Sequence, residues 1–445
     1  MILSFATSAR IHAHQESPHN HQTSETSMGK RIAIVGGGAA GLHLGLYLLA
    51  RDVEVTIHTD RRPQDYPATR LLNTVAHHSI TVARETELGV NHWPTEQYGY
   101  YCHYHHFGGE QPIFFRGDFK SASRAVDYRL YLPRLMQDFE DRGGRIEYAA
   151  LTSDDVARVA STADLVVVCT GKGPLGQMFR HDAAHSPFDR PQRMLCVGLY
   201  SGVAEEPTRS VTLSVSPGHG ELIDIPTLTF GGMAHALLME NVPGGDMDVL
   251  SRLRYEDDRR LFLDTVLEKL EKHHPTVHRR IDRSSFDLAG GANDLLQGGV
   301  TPTVRHSGVP LGDGKLAIAL GDVQAVVDPL CGQGANIASH AAFVLGEEIV
   351  RQSVYDERFC EIVDARRCDR ILGAARWTNL FLQPPSPALM QLIGTMSQDR
   401  ALCDEFTDNF NRPEEQWNRL ASPQRILSWI GEQRAPVAPA AALAA

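Results

Sequence analysis

A glycine motif near the start of the sequence could bind the phosphates of a dinucleotide. Gly36, Gly38 and Gly41 have the G-x-G-x-x-G spacing, between the apolar stretch Arg31–Val35 and an apolar segment typical of a helix. In this context the glycines allow a tight turn, a close backbone approach to a pyrophosphate, and packing of the helix on the strand. Asp60, at the end of the next predicted strand, is the expected partner of the ribose hydroxyls. The spacing therefore predicts a dinucleotide-binding site.

A second segment, far along the sequence, favours FAD over NAD. The predicted strand Leu316–Leu320 is followed by an acidic residue, a glycine-rich turn and an apolar helix. NAD needs no second site, whereas the ribityl chain and ring of FAD extend away from the first motif. Backbone N–H groups at the start of a helix can also stabilise negative charge on a reduced flavin. A purely structural strand-to-helix turn is the alternative. The cofactor-binding residues predicted in this segment are Asp322, Pro329, Gly332, Gly334 and Asn336.

Strand-like segments in the first part of the chain and helical segments in the last part must position these motifs. A helical pattern begins near Ser339 and continues through Ala341–Gln352 and Phe359–Phe381. This order predicts an α/β protein with a mixed middle and a helical C-terminal region. The predicted strands are Arg31–Val35, Val53–Thr59, Leu165–Cys169, Val211–Val215 and Leu316–Leu320.

Composition excludes several classes of protein. The chain has 445 residues, of which 42% are apolar and 22% charged, with a formal net charge of −11. These values exclude a disordered or fibrous chain, and no apolar run reaches the length of about 18 residues that a transmembrane helix needs. An acidic chain without a basic stripe is a poor nucleic-acid binder. Seven scattered cysteines indicate a reducing compartment, so we expect a cytoplasmic protein without membrane or nucleic-acid partners.

The segment Cys102-His103-Tyr104-His105-His106 has residue types that bind metals. On a strand, however, His103 and His105 face one side while Cys102 and His106 face the other. We therefore predict a pocket wall, with His103 facing substrate or flavin, and no metal site. The four histidines among residues 1–28 also do not predict a metal site, because we expect a flexible segment there without preorganised ligand geometry.

The segment from Gly321 to Gly334 is similar to the second FAD motif of flavoprotein aromatic monooxygenases with the p-hydroxybenzoate hydroxylase fold. More closely, the chain resembles the epoxidase components of styrene monooxygenases, from about Lys30 to Trp429. This resemblance implies a Rossmann-like FAD-binding domain, an interleaved β-sheet substrate domain and a helical C-terminal region. The segments that carry it are Gly41–Leu46, Arg70–His77, Ser123–Tyr131, Ser216–Ile223, Asp322–Gln324 and Glu405–Asn411.

The resemblance also implies a reaction. A separate NADH-dependent flavin reductase supplies reduced FAD, O2 converts it to a flavin C4a-hydroperoxide, and this species epoxidises styrene and related vinyl aromatics. The sequence agrees with a two-component system. The stretch Asp164–Lys172 lacks the Asp-Gly motif of single-component hydroxylases, and no second G-x-G-x-x-G follows a strand. Homodimerisation is implied by the resemblance alone.

The resemblance further implies roles for individual residues. Arg70 and Asn73 are expected to act near the flavin and its peroxide, and Arg124 to contact the cofactor. Asn73 and the expected substrate-binding residues match styrene-type rather than indole-type members of the family. The expected substrate-binding residues are Val75, His77, Tyr100, His103 and Ser123.

Four alternatives stay open at this point. They are an indole-type monooxygenase, a self-sufficient NAD(P)H-dependent hydroxylase, a flavin-dependent halogenase and a flavin-binding protein without activity. The halogenase alternative is disfavoured because the four tryptophans do not form the Trp-x-Trp-x-Ile-Pro motif.

The predicted organisation is discontinuous. We expect a disordered extension at 1–28 and a flexible tail at 435–445. The FAD-binding domain is predicted at 29–73, 118–178 and 295–350, the substrate-binding domain at 74–117 and 179–294, and the helical region at 351–434.

Overall fold

The computed structural model describes residues 29–73 and 76–434. The predicted N-terminal extension, the predicted pocket residue Val75 and the predicted C-terminal tail lie outside these ranges. The strands are β1 Arg31–Val35, β2 Glu54–Thr59, β3 Ala76–His77, β4 Gly99–Phe107, β5 Ile113–Val126, β6 Arg145–Tyr148, β7 Leu165–Val168, β8 Met194–Ser201, β9 Ser210–Ser216, β10 Gly220–Thr229, β11 Gly232–Asn241, β12 Asp287–Leu288, β13 Leu295–Gly299, β14 Thr303–Val304, β15 Gly308–Gly312, β16 Lys315–Ala319 and β17 Ala325–Val326.

Helices cover both faces of the first sheet, pack on one face of the second sheet and form the C-terminal region. They are α1 Ala39–Leu49, α2 Ser79–Glu87, α3 Thr95–Tyr98, α4 Tyr128–Asp141, α5 Ser153–Ala160, α6 Arg259–His273, α7 Pro275–His278, α8 Gly334–Arg351, α9 Glu357–Phe381, α10 Pro387–Met396, α11 Arg400–Asp408, α12 Pro413–Leu420 and α13 Pro423–Arg434.

The first sheet has the strand order β15-β16-β7-β1-β2-β6 and is parallel except for the β15–β16 pair. Its central strands are continuous apolar runs because both faces are covered. Ile32 and Ile34 of β1 pack with α1, α4 and α8 on one face, while Ala33 and Val35 pack with α5 on the other. In such a sheet, ligands bind beyond the carboxyl ends of the strands.

The second sheet has the order β12-β8-β11-β10-β9-β4-β5-β3, and β13 also pairs with β8. Its face toward α6 is closed by an apolar cluster that includes Phe262 and Leu270. Strand β5 continues without a break to Val126, so residues 118–126 lie in this sheet rather than beside the first one. Strand β13 also belongs to it. The boundaries expected from the sequence placed both segments in the FAD-binding domain. The difference arises because strands of this sheet pair with partners that are distant in the sequence.

The helices α9 to α13 pack together over the edge formed by β4 and β5. Trp377, Trp429 and Phe406 are buried in a cluster that also contains Phe115 of β5. This arrangement confirms the helical C-terminal region expected from the sequence. Across residues 29–73 and 76–434, no helix is both long and apolar enough to cross a membrane.

Candidate active site

A cavity of about 610 Å³ opens at the carboxyl ends of the parallel strands β1, β2 and β7. A volume of this size is typical of a site for a small molecule or cofactor. Its walls come from both sheets and from the first turns of α1 and α8. The residues predicted from sequence that line it are Gly36, Gly38, Asp60, Asn73, Asp322, Pro329, Gly332 and Gly334.

The first glycine turn leaves no room for a side chain at its first position. Gly36 has φ +127°, and a Cβ there would lie 2.5 Å from the carbonyl oxygen of Cys169. At Gly38 an added Cβ would meet nothing within 4 Å, so this position borders open cavity. Gly41 does not line the cavity; its missing side chain lets α1 approach Gly36, whose oxygen would lie 2.2 Å from a Cβ. The three glycines thus lie in a tight turn, at an open cavity wall and at a close helix contact, and binding of a pyrophosphate at Gly38 stays a prediction.

The loop after β7 contributes cavity residues that the sequence reasoning missed. Cys169, Thr170, Gly171 and Lys172 all line the cavity. Lys172 lies close enough to Asp322 to oppose the rise that burial causes in the pKa of that carboxyl. The signal that could have identified this loop is an apolar strand ending in Cys-Thr-Gly-Lys, since the ends of neighbouring parallel strands meet.

The second predicted segment forms the opposite wall. A 3-10 turn, Pro329–Cys331, ends at Gly332, which has φ +60° and so occupies the left-handed region that favours glycine. Helix α8 begins immediately afterwards, and its residues Gly334, Ala335 and Ala338 face the cavity. The N-terminus of α8 therefore directs free N–H groups and a positive dipole end toward the cavity.

Asn336 does not line the cavity but fixes the turn that does. Its amide nitrogen donates to the carbonyl oxygens of Gly332 and Ala76, both at 2.8 Å. Its amide oxygen accepts from the backbone N–H of His78 and the hydroxyl of Thr81. Asn336 is buried, so all of these bonds are shielded from water. It joins the turn to the segment that connects β3 to α2.

A second, apolar pocket of about 30 Å³ lies on the other side of the turn. Pro329, Gly332 and Leu238 line both spaces, so the two are separated by a single layer of the protein. The other walls include Val211, Leu213, Ile223, Ile225 and Phe410. Because about 30 Å³ is the share of liquid volume of one water molecule, a larger ligand enters only if lining side chains move.

Tyr100 and His103, two of the residues expected to bind substrate, line this apolar pocket. The His103 ring lies edge-on to Phe119 and Phe410, with centroids 4.7 and 4.6 Å away. Burial lowers the pKa of His103 well below its usual value, and burial raises the pKa of Tyr100. Ser123 lies directly opposite Tyr100 across the β4–β5 pair. The polar groups at this pocket are therefore neutral.

His105 follows His103 on the same face of β4 and contacts the C-terminal helices. Its ring stacks on Phe115 at 5.1 Å and lies near Phe406. His106 points elsewhere and is hydrogen-bonded to the hydroxyl of Ser214. Within the parts of the chain that the structure describes, His, Cys, Asp and Glu do not group in a way that could hold a metal ion.

Four other residues predicted for the site lie outside both spaces: Arg70, Arg124, His77 and Ser123. Arg70 is on the surface, with 59% of its side chain exposed, and forms an ion pair with Glu256. Arg124 is completely buried and pairs with Glu85. His77 is buried between Glu85 and Tyr128. Their spacing in the sequence did not reveal these partners, because each pair forms between separate elements.

Two buried carboxyl groups, Glu240 and Asp328, lie behind the turn that separates the spaces. One oxygen of Asp328 accepts from the backbone N–H of Leu330 at 3.1 Å and so caps the turn. Glu240 stands opposite Glu221 on β10, and Arg193 binds Glu221 with two hydrogen bonds. Burial, and then the neighbouring carboxylate, raise the pKa of Glu240 well above its usual value. Burial also raises the pKa of Asp328.

These shifts predict a pH-dependent stability. A folded-state pKa above the unfolded value, about 4.3 for Glu, gives stability that is present below that value and is lost as pH rises through the folded pKa. We expect the contribution of Glu240 to the free energy of unfolding to fall with rising pH, by about 1.4 kcal/mol for each unit of pKa elevation. Urea unfolding of wild type and Glu240→Gln across pH measures this contribution, because the free energy of the wild type relative to the variant should fall as pH rises. Glu54→Gln, at an exposed position on β2, is the matched control. Identical profiles for wild type and Glu240→Gln would contradict the prediction.

The large cavity fits a flavin nucleotide by its own geometry. Gly36 cannot carry a side chain, Gly38 faces open space, and α8 presents its N-terminus at the far wall. A neutral apolar pocket adjoins that wall. Asp60 and Lys172 supply polar groups at the edges. These features could hold an elongated cofactor with its reactive end beside a small apolar molecule.

Solved structures of similar fold are flavoenzymes. The flavin-dependent brominase Bmp2 has a TM-score of 0.64 at 13% identity, covering 91% of this chain and 98% of its own. PqsL, a probable FAD-dependent monooxygenase from Pseudomonas aeruginosa, has a TM-score of 0.56 at 15% identity, covering 85% and 99%. The halogenase CndH has a TM-score of 0.58 at 13% identity, covering 91% and 97%. They confirm the predicted α/β fold of the p-hydroxybenzoate hydroxylase type.

Comparison with known sequences specifies the family. Residues 171–280 match the family model described as "Styrene monooxygenase A putative substrate binding domain". Styrene monooxygenase StyA from Pseudomonas fluorescens is 55% identical over 414 residues, which are 92% of this chain and 100% of that protein. The StyA of a Pseudomonas sp is 55% identical over 408 residues, covering 91% and 98%. The chain belongs to the styrene monooxygenase StyA family.

Proposed function

We propose that this protein is the oxygenase component of a two-component system that epoxidises styrene and related vinyl aromatics to epoxides. Reduced FAD, when bound, activates O2, so that one oxygen atom enters the double bond and the other leaves as water. The observation that carries the proposal is the contact between the two spaces across Pro329 and Gly332. Membership of the StyA family supports styrene as the substrate.

The chain's own residues would bind the cofactor and position it. The turn from Gly36 to Gly38 would accept the pyrophosphate, and Asp60 would bind a ribose hydroxyl. Asp322, Gly332 and the first turn of α8 would hold the far end. Asn73 lines the same cavity and is our candidate for positioning at the reacting end.

The apolar pocket would hold the alkene and exclude water. Forming an epoxide removes no proton from the substrate, so the reaction needs no general base at this position. The neutral His103 and Tyr100 suit this task, because a charged group would attract water into the pocket. Excluding water matters because it limits wasteful release of H2O2.

We also propose that a separate NADH-dependent reductase supplies the reduced flavin. The sequence has no second G-x-G-x-x-G motif after a strand that would bind a nicotinamide cofactor. A cytoplasmic location, expected from the scattered cysteines, and a homodimer, implied by the family resemblance, are part of the same proposal.

The test combines the purified protein with FAD, NADH, O2, styrene and an unrelated NADH:flavin reductase, and measures styrene oxide by chiral chromatography. Epoxide that depends on the reductase is the expected result. Folded, FAD-binding protein that forms no epoxide would overturn the proposed function. Epoxide formed with NADH but without reductase would overturn the two-component part. Parallel reactions with indole would show whether the indole-type activity dominates.

His103→Ala is expected to raise the ratio of H2O2 to epoxide several-fold. Loss of the ring between Phe119 and Phe410 would open the pocket to water beside the cofactor. We expect the same direction for Asn73→Ala. The measurement is H2O2 and epoxide formed per NADH consumed.

His105→Ala is the matched control for His103→Ala. His105 is equally buried on the same strand face but stacks on Phe115 and does not line the pocket. Its replacement should leave the ratio unchanged. Equal ratios in wild type and His103→Ala would contradict the role of His103.

A further inference from the structure

Glu85, His77 and Tyr128 form a continuous hydrogen-bonded series that ends at the cofactor cavity. The Nδ1 atom of His77 lies 2.6 Å from a carboxylate oxygen of Glu85. The Nε2 atom lies 2.9 Å from the hydroxyl oxygen of Tyr128. All three residues are buried, with Glu85 and His77 at 0% and 3% exposure. Tyr128 lines the large cavity, whereas His77 lines neither space.

The ion pair between Glu85 and Arg124 fixes the charge at the inner end of the series. Both side chains are completely buried, and the guanidinium of Arg124 donates to Glu85. Burial alone would raise the pKa of Glu85, but His77 and Arg124 outweigh it and lower the pKa to about 2. Glu85 is therefore a carboxylate at neutral pH and can only accept hydrogen bonds.

The carboxylate fixes one bond of the series. Since Glu85 only accepts, the Nδ1 atom of His77 must carry a hydrogen and donate it. The Nε2 atom of His77 and the hydroxyl of Tyr128 are hydrogen-bonded to each other at 2.9 Å, so His77 fixes the position of the Tyr128 hydroxyl.

Tyr128 lines the cavity together with Asp322. Burial raises the pKa of Tyr128, and the carboxylates Glu85 and Asp322 raise it further. The phenol therefore keeps its hydrogen at neutral pH.

We propose that the hydroxyl of Tyr128 hydrogen-bonds a polar group of the bound flavin nucleotide, and that His77 is a positioning residue acting through Tyr128. The sequence resemblance had suggested substrate binding for His77 and cofactor contact for Arg124. In this proposal His77 orients Tyr128, and Arg124 keeps Glu85 charged. The proposal rests on the proposed flavin cofactor, but its test uses binding of oxidised FAD and needs neither substrate nor turnover.

The test measures the Kd for FAD by fluorescence titration. Tyr128→Phe removes one hydrogen bond and should weaken binding about fivefold. His77→Leu should weaken it by a similar factor, and the double variant by no more than either one alone. His77→Gln should restore much of the affinity, because its amide can donate to Glu85 and accept from Tyr128. A Tyr128→Phe protein with wild-type affinity, or factors that multiply in the double variant, would overturn the proposal.

Tyr131→Phe is the matched control. Its hydroxyl donates to the same oxygen of Glu85 at 2.8 Å, on a residue that does not line the cavity. This variant should keep the wild-type Kd although it removes a bond from the same carboxylate. A weakening equal to that of Tyr128→Phe would show a general effect of the buried cluster and would overturn the specific role.

A second measurement observes the wild-type protein and does not require any variant to bind FAD. Nitrogen-15 NMR of wild-type protein, with the His77 signal assigned by its loss in His77→Gln, should show hydrogen on Nδ1, as donation to Glu85 requires. A His77 ring without hydrogen on Nδ1 would overturn the proposal even if a variant failed to fold. If wild-type protein bound no FAD while the NMR result held, the proposed function would fail and the hydrogen-bonded series would stand.

Discussion

Gly38→Val is expected to abolish FAD binding and to leave the unfolding temperature of the cofactor-free protein unchanged. Gly38 has φ −80°, which any residue adopts, and an added Cβ meets no atom within 4 Å. The new side chain would instead occupy the space where the pyrophosphate is expected. Loss of close phosphate contact at a helix N-terminus should weaken binding by about 100-fold or more, or about 2.7 kcal/mol. Fluorescence titration with FAD and thermal unfolding without FAD measure the two effects separately.

Gly36→Ala provides the contrasting control two residues earlier. Its Cβ would lie 2.5 Å from the carbonyl oxygen of Cys169, at φ +127°. We expect this variant to lose about 1–3 kcal/mol of stability even without cofactor, because backbone strain of this kind costs that much. If Gly38→Val bound FAD normally, the cavity would not be the pyrophosphate site.

Arg124→Ala should destabilise the protein by about 3–5 kcal/mol, the usual cost of leaving a buried charge unpaired. Both Arg124 and Glu85 are completely inaccessible to solvent. Glu85 would keep its hydrogen bonds to His77 and Tyr131 but lose its counter-ion. The free energy of unfolding in urea measures the loss. The double variant Arg124→Met/Glu85→Gln should recover part of it, because no unpaired charge remains.

Arg70→Ala is the matched control for Arg124→Ala. Arg70 also has a carboxylate partner, Glu256, but lies at the surface, where an ion pair contributes about 0–1 kcal/mol. A stable Arg124→Ala protein that had lost only FAD affinity would contradict the buried ion pair as the main role. It would instead support the cofactor contact expected from the sequence.

Local features of the fold and site were predictable from the sequence. The turn at Gly36 and the turn at Gly332 each depend on a strand, a few glycines and the helix that follows. All the information for such a unit lies in one continuous segment of the chain. Tyr100 and His103 line the apolar pocket, but their role in substrate binding was expected from the family resemblance and stays a prediction.

Partners that are distant in the sequence were not predictable in the same way. The pair of Arg124 with Glu85 joins β5 to α2, and the bonds of Asn336 join α8 to β3. Residue types at these positions are compatible with many roles, including the cofactor contacts that were expected. Only the packing of the two sheets determines which neighbours they meet. The same holds for the loop from Cys169 to Lys172, which became part of the site because β7 lies beside β1.

The shared wall at Pro329 and Gly332 has a consequence for directed evolution of this enzyme. A substitution in the turn would change the cofactor cavity and the apolar pocket together, since both are built on the same backbone. Val211 of β9 and Ile223 and Ile225 of β10 line the apolar pocket but not the cofactor cavity. Libraries aimed at new alkenes should therefore randomise these three sheet positions and leave the turn unchanged. Substrate selectivity can then change while oxygen activation is preserved.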